Sequence, residues 1–134
     1  MDNPKDMRYD IGIFLHANRD LTEFQREVIE LVFVEKNYPR AIARINEQIT
    51  LLMDAQWSPS KLGGDMVMTP AHYDRFPIEP TFFIFVNKID WLRGNFLKYV
   101  CRYPFKNGIE DLRKAMRNLA MLVNFLDGNP KWSR

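Results

Sequence analysis

The sequence predicts an all-α protein of about five helices, with an N-terminal helical hairpin followed by a C-terminal three-helix unit. Apolar side chains recur at steps of three and four residues through most of the chain, which is the spacing of one helix face. Residues that typically open and close helices bound these segments. No stretch alternates apolar and polar residues as a half-buried strand does. The length of 134 residues favours a single domain, so residues 1–134 are treated as one.

The N-terminal segment, residues 1–19, carries weak signals and is predicted to be mobile or to dock on the rest of the chain. The first few residues of most domains are poorly ordered. Four apolar residues in this segment could form a short strand or a docking turn: Ile11, Ile13, Phe14 and Leu15.

Residues 20–54 are predicted to form the helical hairpin. Its first helix begins near Asp20 and ends near Lys36, and two residue pairs have capping-box spacing: Asp20 with Glu23, and Thr22 with Gln25. Pro39 fits the first turn of the second helix. The apolar stripe of that helix alternates steps of four and three, as in the seam of paired helices: Tyr38, Ile42, Ile45, Ile49 and Leu52.

Residues 55–72 are predicted to be a long loop, since glycine and proline interrupt the periodicity there. Loops of this length are usually functional or disordered, and this one is interpreted as a hinge. The C-terminal unit, residues 73–128, then has predicted helices at about 79–88, 91–104 and 108–126. Pro80 and Asp90 suit the starts of the first two, and Asn107 with Glu110 has capping-box-like spacing for the third.

Composition excludes several classes of function. The net charge of +2 argues against a protein that coats nucleic acid, because such domains are usually much more basic. No apolar run is long enough to span a membrane. Cys101 is the only cysteine, so no internal disulfide forms, and a reducing cytoplasm is the expected location. The aromatic content of 13% and the seams predict a homo-oligomer, with the hairpin as its interface.

A polar face on the fourth predicted helix carries the clearest chemical signal. Asn95, Lys98 and Arg102 lie at positions i, i+3 and i+7, so they share one side of the helix. A separate apolar stripe contains Phe96, Tyr99, Val100 and Tyr103. An amide, an ammonium and a guanidinium in line suit an anion with several oxygens, of which phosphate is the commonest. A solvated polar face without a ligand is the alternative.

Other motifs are incomplete. The sequence has neither a P-loop nor a G-x-G-x-x-G motif, and its two histidines have no cysteine cluster beside them, so no metal ligands are assigned. Glu27 and Glu30 form the E-x-x-E pair of all-helical nucleoside triphosphate pyrophosphohydrolases, but the second acidic pair is missing because Thr50 follows Glu47. Residues 21–31 look like the opening helix of a sigma-factor DNA-binding region, yet no short turn and recognition helix follow.

Four ordered motifs occur between Thr69 and Leu126. They are Pro70-Ala71-His72-Tyr73, Ile78-Glu79-Pro80, Gly94-Asn95-Phe96-Leu97-Lys98-Tyr99-Val100-Cys101-Arg102-Tyr103 and Lys106-Asn107-Gly108-Ile109-Glu110-Asp111-Leu112-Arg113-Lys114-Ala115. This pattern resembles a phage family first catalogued as domain of unknown function 3310 and later linked to a phage nucleotide kinase. The resemblance covers a little under half the chain. It implies phosphoryl transfer to a deoxynucleoside monophosphate without a P-loop, with ATP as the phosphate donor and the need for magnesium left open.

The polar face and the resemblance together give the candidate site. Lys98, Arg102 and Asp111 are the predicted catalytic residues. The predicted substrate-binding residues are His72, Tyr73, Asn95, Lys98, Arg102, Lys106, Glu110 and Lys114. In this interpretation the cations hold phosphate oxygens, with Lys106 beside the amino end of the last helix, where free N–H groups attract anions.

The other candidate residues have supporting roles. Asn95 could contact a base or ribose, and His72 with Tyr73 could stack on the base or bond a phosphate. Glu110 and Asp111 could hold the cations in place or bind a metal, and Lys114 could simply pair with Glu110 one turn away. A second interpretation is a buried polar network without a ligand, in which Asn95, Arg102, Glu110 and Asp111 lock the last two helices together.

The leading function is therefore a small cytosolic phage protein that binds nucleotides, with nucleoside monophosphate kinase activity as its more specific form. The alternative is a non-enzymatic phage protein that binds a host protein or sequesters a nucleotide. Nucleic acid and membranes are not expected as partners.

Overall fold

The computed structural model of the chain describes residues 9–59 and 75–134. Within these ranges it contains six α-helices, one 3-10 turn and no strand, so the all-α prediction is confirmed. The helices are α1 (Ile11–Ala17), α2 (Glu23–Phe33), α3 (Tyr38–Asp54), α4 (Pro80–Val86), α5 (Trp91–Arg102) and α6 (Ile109–Leu126), and the 3-10 turn spans Tyr103–Phe105. Among the described residues, no helix is both long enough and apolar enough to cross a bilayer.

Helix α1 is the element that the sequence did not predict. Its first turn is capped by Asp10, whose carboxylate accepts a hydrogen bond from the Ile13 N–H at 2.8 Å. Of the two forms that the sequence left open, a short strand or a docking turn, the strand is wrong, and the segment packs on the fold as a helix. Phe14 is fully buried and its ring lies 4.7 Å from that of Phe83 on α4, measured between ring centroids. This packing, rather than local periodicity, holds α1 against the C-terminal half.

Helices α2 and α3 pack against each other as the predicted hairpin requires. Of the two capping-box pairs, the structure contains Thr22 with Gln25: the Gln25 N–H donates to the Thr22 hydroxyl at 3.2 Å, and the Thr22 N–H donates to the Gln25 side chain at 2.7 Å. Glu27, half of the E-x-x-E pair, accepts a hydrogen bond from Arg44 Nε of α3 at 2.8 Å. It therefore helps join the hairpin.

Helix α6 lies at the centre of the fold and packs against both α5 and α3. The largest side chains with no exposed surface come from several helices and meet in one core. Among them are Ile29, Ile45, Phe96, Leu97, Leu112 and Leu119. Gln25 links this core to α5, because its buried side chain donates to the Val100 carbonyl at 2.9 Å. The hairpin and the C-terminal unit thus share a core.

The predicted capping box at the start of α6 is wrong. Gly108 is the residue that precedes the helix, with φ of +59°, and its side chain cannot cap. A Cβ atom added there would lie only 2.9 Å from Pro59 Cγ, so both the left-handed backbone and the close approach require glycine. The Asn107 N–H donates instead to Asp111 Oδ2 at 3.2 Å. Of the predicted 55–72 loop, residues 60–72 lie outside the described residues.

Candidate anion-binding site

The surface where α5 meets the start of α6 brings most of the predicted site residues together. Burial lowers the pKa of the Lys98 ammonium below its ordinary value, and nearby positive charges lower it further. Those charges belong to Arg102 on α5, Lys106 in the following turn and Lys114 on α6, and Asp111 acts in the opposite direction. We call the four basic residues, Lys98, Arg102, Lys106 and Lys114, the cation cluster.

Tyr99 lies among three members of the cation cluster. The Lys98 Nζ and the Arg102 Cζ each lie 4.9 Å from the centroid of its ring, and the Lys114 Nζ lies 5.7 Å from it. Because the face of an aromatic ring attracts cations, Tyr99 holds these charges near one another without neutralising them. The sequence placed Tyr99 only in an apolar stripe. Its position three residues before Arg102 was the available signal, because side chains at that spacing are neighbours on a helix.

Arg102 is paired with Asp111. Arg102 Nε donates to Asp111 Oδ2, and Arg102 Nη2 donates to Asp111 Oδ1, each at 3.2 Å. Asp111 has no exposed surface, and the Arg102 side chain retains 17% of its own. Asn107 completes the shell, since its backbone N–H and its amide also donate to Asp111. Asp111 therefore fixes Arg102 and the turn before α6, which is the predicted role of holding a cation in place.

The predicted catalytic role of Asp111 stays a prediction. In this structure its carboxylate has no exposed surface and is held by Arg102 and Asn107, an arrangement that suits a positioning role. At the amino end of α6, the Glu110 and Asp111 N–H groups donate to the carbonyls of residues 107 and 108. Lys106 is exposed beside this end, but these two N–H groups are not free to bind an anion.

Glu110 lies outside the polar network between the helices. It is exposed and its carboxylate lies 3.9 Å from Arg113 Nη1, not beside Lys114 as the spacing suggested. None of the ion pairs formed between described residues involves Lys98, Lys106 or Lys114. The three lysines are thus the part of the cation cluster that no described carboxylate neutralises.

Asn95 joins a pair of amides between α5 and α6. Its Nδ2 donates to Asn118 Oδ1 at 3.3 Å, and Asn118 Nδ2 donates to the Lys114 carbonyl at 2.8 Å. Asn118 is only 7% exposed. The sequence did not single out Asn118, because nothing in it gives the register in which α6 faces α5.

Two openings adjoin the cation cluster on the side of α4. The smaller, of about 20 Å³, is lined by Phe76, Glu79, Pro80, Thr81, Lys98, Cys101 and Arg102. The larger, of about 290 Å³, is a groove lined by Thr81, Ile84, Ile89, Trp91, Gly94, Asn95 and Lys98. Lys98 and Thr81 line both, so the two openings adjoin each other. Glu79 contributes a carboxylate oxygen that caps α4 by accepting from the Phe82 N–H at 2.8 Å. Burial raises the pKa of the Cys101 thiol, so this cysteine is not a reactive thiolate.

His72 and Tyr73 lie outside the described residues, so their predicted roles stay predictions. Residues 67–120 match the model of a family described as a protein of unknown function, DUF3310. The matched region includes α4, α5, the whole cation cluster and most of α6. It confirms the resemblance to the domain of unknown function, and the link to a nucleotide kinase stays a prediction. No curated protein and no solved structure matches the chain.

Proposed function

We propose that this protein binds phosphorylated small molecules, and nucleotides in particular, at the cation cluster. The observation that supports the proposal is the gathering of three basic side chains around Lys98, with Lys98 and two of these three around the Tyr99 ring. Bringing like charges together costs free energy, and these cations add to the lowering of the Lys98 pKa that burial causes. An anion with several oxygens relieves the repulsion, because it accepts charge-assisted hydrogen bonds from several of these groups at once.

The lysines carry most of this proposed contact. A guanidinium has five N–H donors, and Asp111 accepts from the Nε and Nη2 atoms of Arg102. Arg102 therefore offers a ligand mainly its Nη1 group and cannot grip phosphate through the edge that holds Asp111. Lys98 and Lys114 lie on facing helices, so a phosphate between them would be contacted from both sides.

Two forms of this function differ in whether the nucleotide reacts. In one the protein is a P-loop-independent deoxynucleoside monophosphate kinase that uses ATP. In the other it is a non-enzymatic phage protein that sequesters a nucleotide or binds a host protein in the host cytosol. The burial of Asp111 favours sequestration, because the carboxylate predicted to act in catalysis is enclosed. Self-association through the hairpin is a further part of the proposal, and light scattering on the purified protein measures it.

A ligand panel tests the function directly. We expect nucleoside mono-, di- and triphosphates to raise the melting temperature, whereas the parent nucleosides do not. Binding to the folded state alone adds about 2.7 kcal/mol of stability at a ligand concentration 100 times Kd. Titration calorimetry then gives Kd, and coupled ATP turnover with dGMP or dTMP distinguishes a kinase from a binder. If no phosphorylated compound shifts the melting temperature or gives a binding heat, the proposed function is wrong.

The pH dependence of binding provides a second test. The pKa of Lys98 lies below 10.5 in the folded protein, so Lys98 loses its proton earlier than an ordinary lysine as the pH rises. We expect nucleotide affinity to fall as the pH rises through this lowered pKa, and binding in that range to take up a proton. The unbound fold should gain stability from this group as the pH rises towards 10.5, since the unfolded chain binds the proton more tightly.

Calorimetry in buffers of different ionisation enthalpy measures the proton uptake. The charged groups around Lys98 are Arg102, Lys106, Asp111 and Lys114. Lys98→Arg is the control, because arginine keeps its proton throughout this range, and its affinity should fall less than that of the wild type as the pH rises through it. An identical pH profile for the wild type and this variant would contradict the role of Lys98.

A further inference from the structure

We infer that the groove between α4 and α5 binds a planar ring attached to the phosphate, and that Asn95 selects rings with an N–H donor. This inference rests on the proposed function and extends it to the part of the ligand beyond the phosphate. The groove has a volume of about 290 Å³, near the lower end for small-molecule sites. Lys98 lines the groove and also belongs to the cation cluster, so one molecule can place its phosphate at the cluster and its ring in the groove.

The walls of the groove suit a flat, weakly polar group. Ile84 and Ile89 supply apolar surface, and Trp91 lines the groove with 78% of its surface exposed. Aromatic side chains left at the edge of a pocket can stack on planar ligands. Gly94 allows α4 to approach α5, because an added Cβ would lie 3.0 Å from Ile84 Cγ2. A planar ring thus meets isoleucine side chains, an indole and helix backbone.

The amide of Asn95 has a fixed orientation in this groove. Its Nδ2 donates to Asn118 Oδ1 at 3.3 Å. Asn118 cannot turn its amide without losing its own bond to the Lys114 carbonyl at 2.8 Å. Among the described residues, Asn95 Oδ1 has no hydrogen-bond partner, so it is the acceptor that Asn95 can offer. A ring N–H or an amino group complements this acceptor, so a base that carries either one fits, and a ring without a donor leaves the acceptor unsatisfied.

Asn118 is therefore a positioning residue, and Asn95 is the residue that contacts the ligand. The chemical class that fits is a phosphate ester carrying a planar heterocycle with an N–H donor, as in nucleotides. Adjacent positive charge and stacking surface are the combination by which proteins bind nucleotide units without reading an extended sequence.

The test compares a ring-bearing probe with a ring-free one. The probes are dTMP, its analogue methylated at N3, which has no N–H donor left on the base, and inorganic pyrophosphate, titrated by calorimetry. We expect Trp91→Ala to weaken dTMP binding by roughly tenfold, and to change pyrophosphate binding less than twofold. Asn95→Leu and Asn118→Leu should abolish the preference for the unmethylated ring.

Controls separate this inference from the proposed function. Phe85→Ala removes an aromatic ring that lies on α4, is 79% exposed and does not line the groove. This variant should leave all affinities unchanged. Melting temperatures show whether each variant is folded, and Asn95→Leu, at a partly exposed position, keeps the test open if Asn118→Leu does not fold. If Trp91→Ala and Asn95→Leu leave nucleotide affinity unchanged, the inference about the groove is wrong, but the proposed binding at the cation cluster is not contradicted. Failure of every probe, pyrophosphate included, overturns both.

Discussion

Replacing Arg102 with alanine is expected to destabilise the fold by about 3–5 kcal/mol, because it leaves a buried carboxylate without its guanidinium. Asp111 has no exposed surface and takes two hydrogen bonds from Arg102 at 3.2 Å each. The bonds from Asn107 that remain come from neutral groups and cannot replace a charge. For a domain of this size the loss corresponds to a fall in melting temperature of about 10 °C or more, which thermal and urea denaturation measure.

A second ion pair of the same region provides the matched control. Arg113 lies 3.9 Å from Glu110, and both side chains are exposed, so Arg113→Ala should cost about 1 kcal/mol or less. Replacing Arg102 and Asp111 together by leucine should recover much of the loss, because no unpaired charge is then buried. Equal effects of Arg102→Ala and Arg113→Ala would show that the Asp111 carboxylate is not an enclosed charge that depends on Arg102.

The ion pair between Arg102 and Asp111 also determines which substitutions can report on ligand binding. An Arg102 variant that loses nucleotide binding would do so whether the guanidinium contacts the ligand or only holds α5 against α6. The lysines have no described carboxylate partner, so their removal leaves no buried charge. They are the informative positions for the site.

Local signals explain why the boundaries of several helices could be predicted. Thr22 and Gln25 satisfy each other's backbone N–H groups, Pro39 lies in the first turn of α3, and the Asp90 carboxylate accepts from the Arg93 N–H at 2.9 Å. Each depends on residues close in sequence. Helix α1 depends instead on Phe14 packing against Phe83, a partner far along the chain, so its sequence alone gave only weak signals.

The candidate site shows the same division between local and long-range information. Helical spacing placed Asn95, Lys98 and Arg102 on one face, because that depends on α5 alone. The start of α6 depends on how Trp57 and Pro59 pack against Gly108, and the partner of Asn95 depends on the register of α6 against α5. Neither can be obtained from spacing within one helix.

The largest expected effect on binding comes from removing two charges of the cation cluster together. We expect the double variant Lys98→Gln and Lys114→Gln to bind nucleotides at least about 100-fold more weakly, since a hydrogen bond to a charged group contributes about 1.5–3 kcal/mol. Its stability should stay equal to that of the wild type or rise, because burial and neighbouring cations already disfavour the charge on Lys98. Calorimetry at fixed salt gives the affinities, and thermal denaturation gives the stability.

The control for this variant removes the same charge elsewhere. Lys131 and Arg134 are exposed near the C-terminus, so Lys131→Gln with Arg134→Gln makes an equal change in net charge away from the cation cluster. If both double variants weaken binding equally, the nucleotide responds to the overall charge of the protein and not to a site. If only the cluster variant weakens binding, and the remaining affinity depends less on salt, the phosphate is held by Lys98 and Lys114, because fewer close ion contacts leave less for salt to screen.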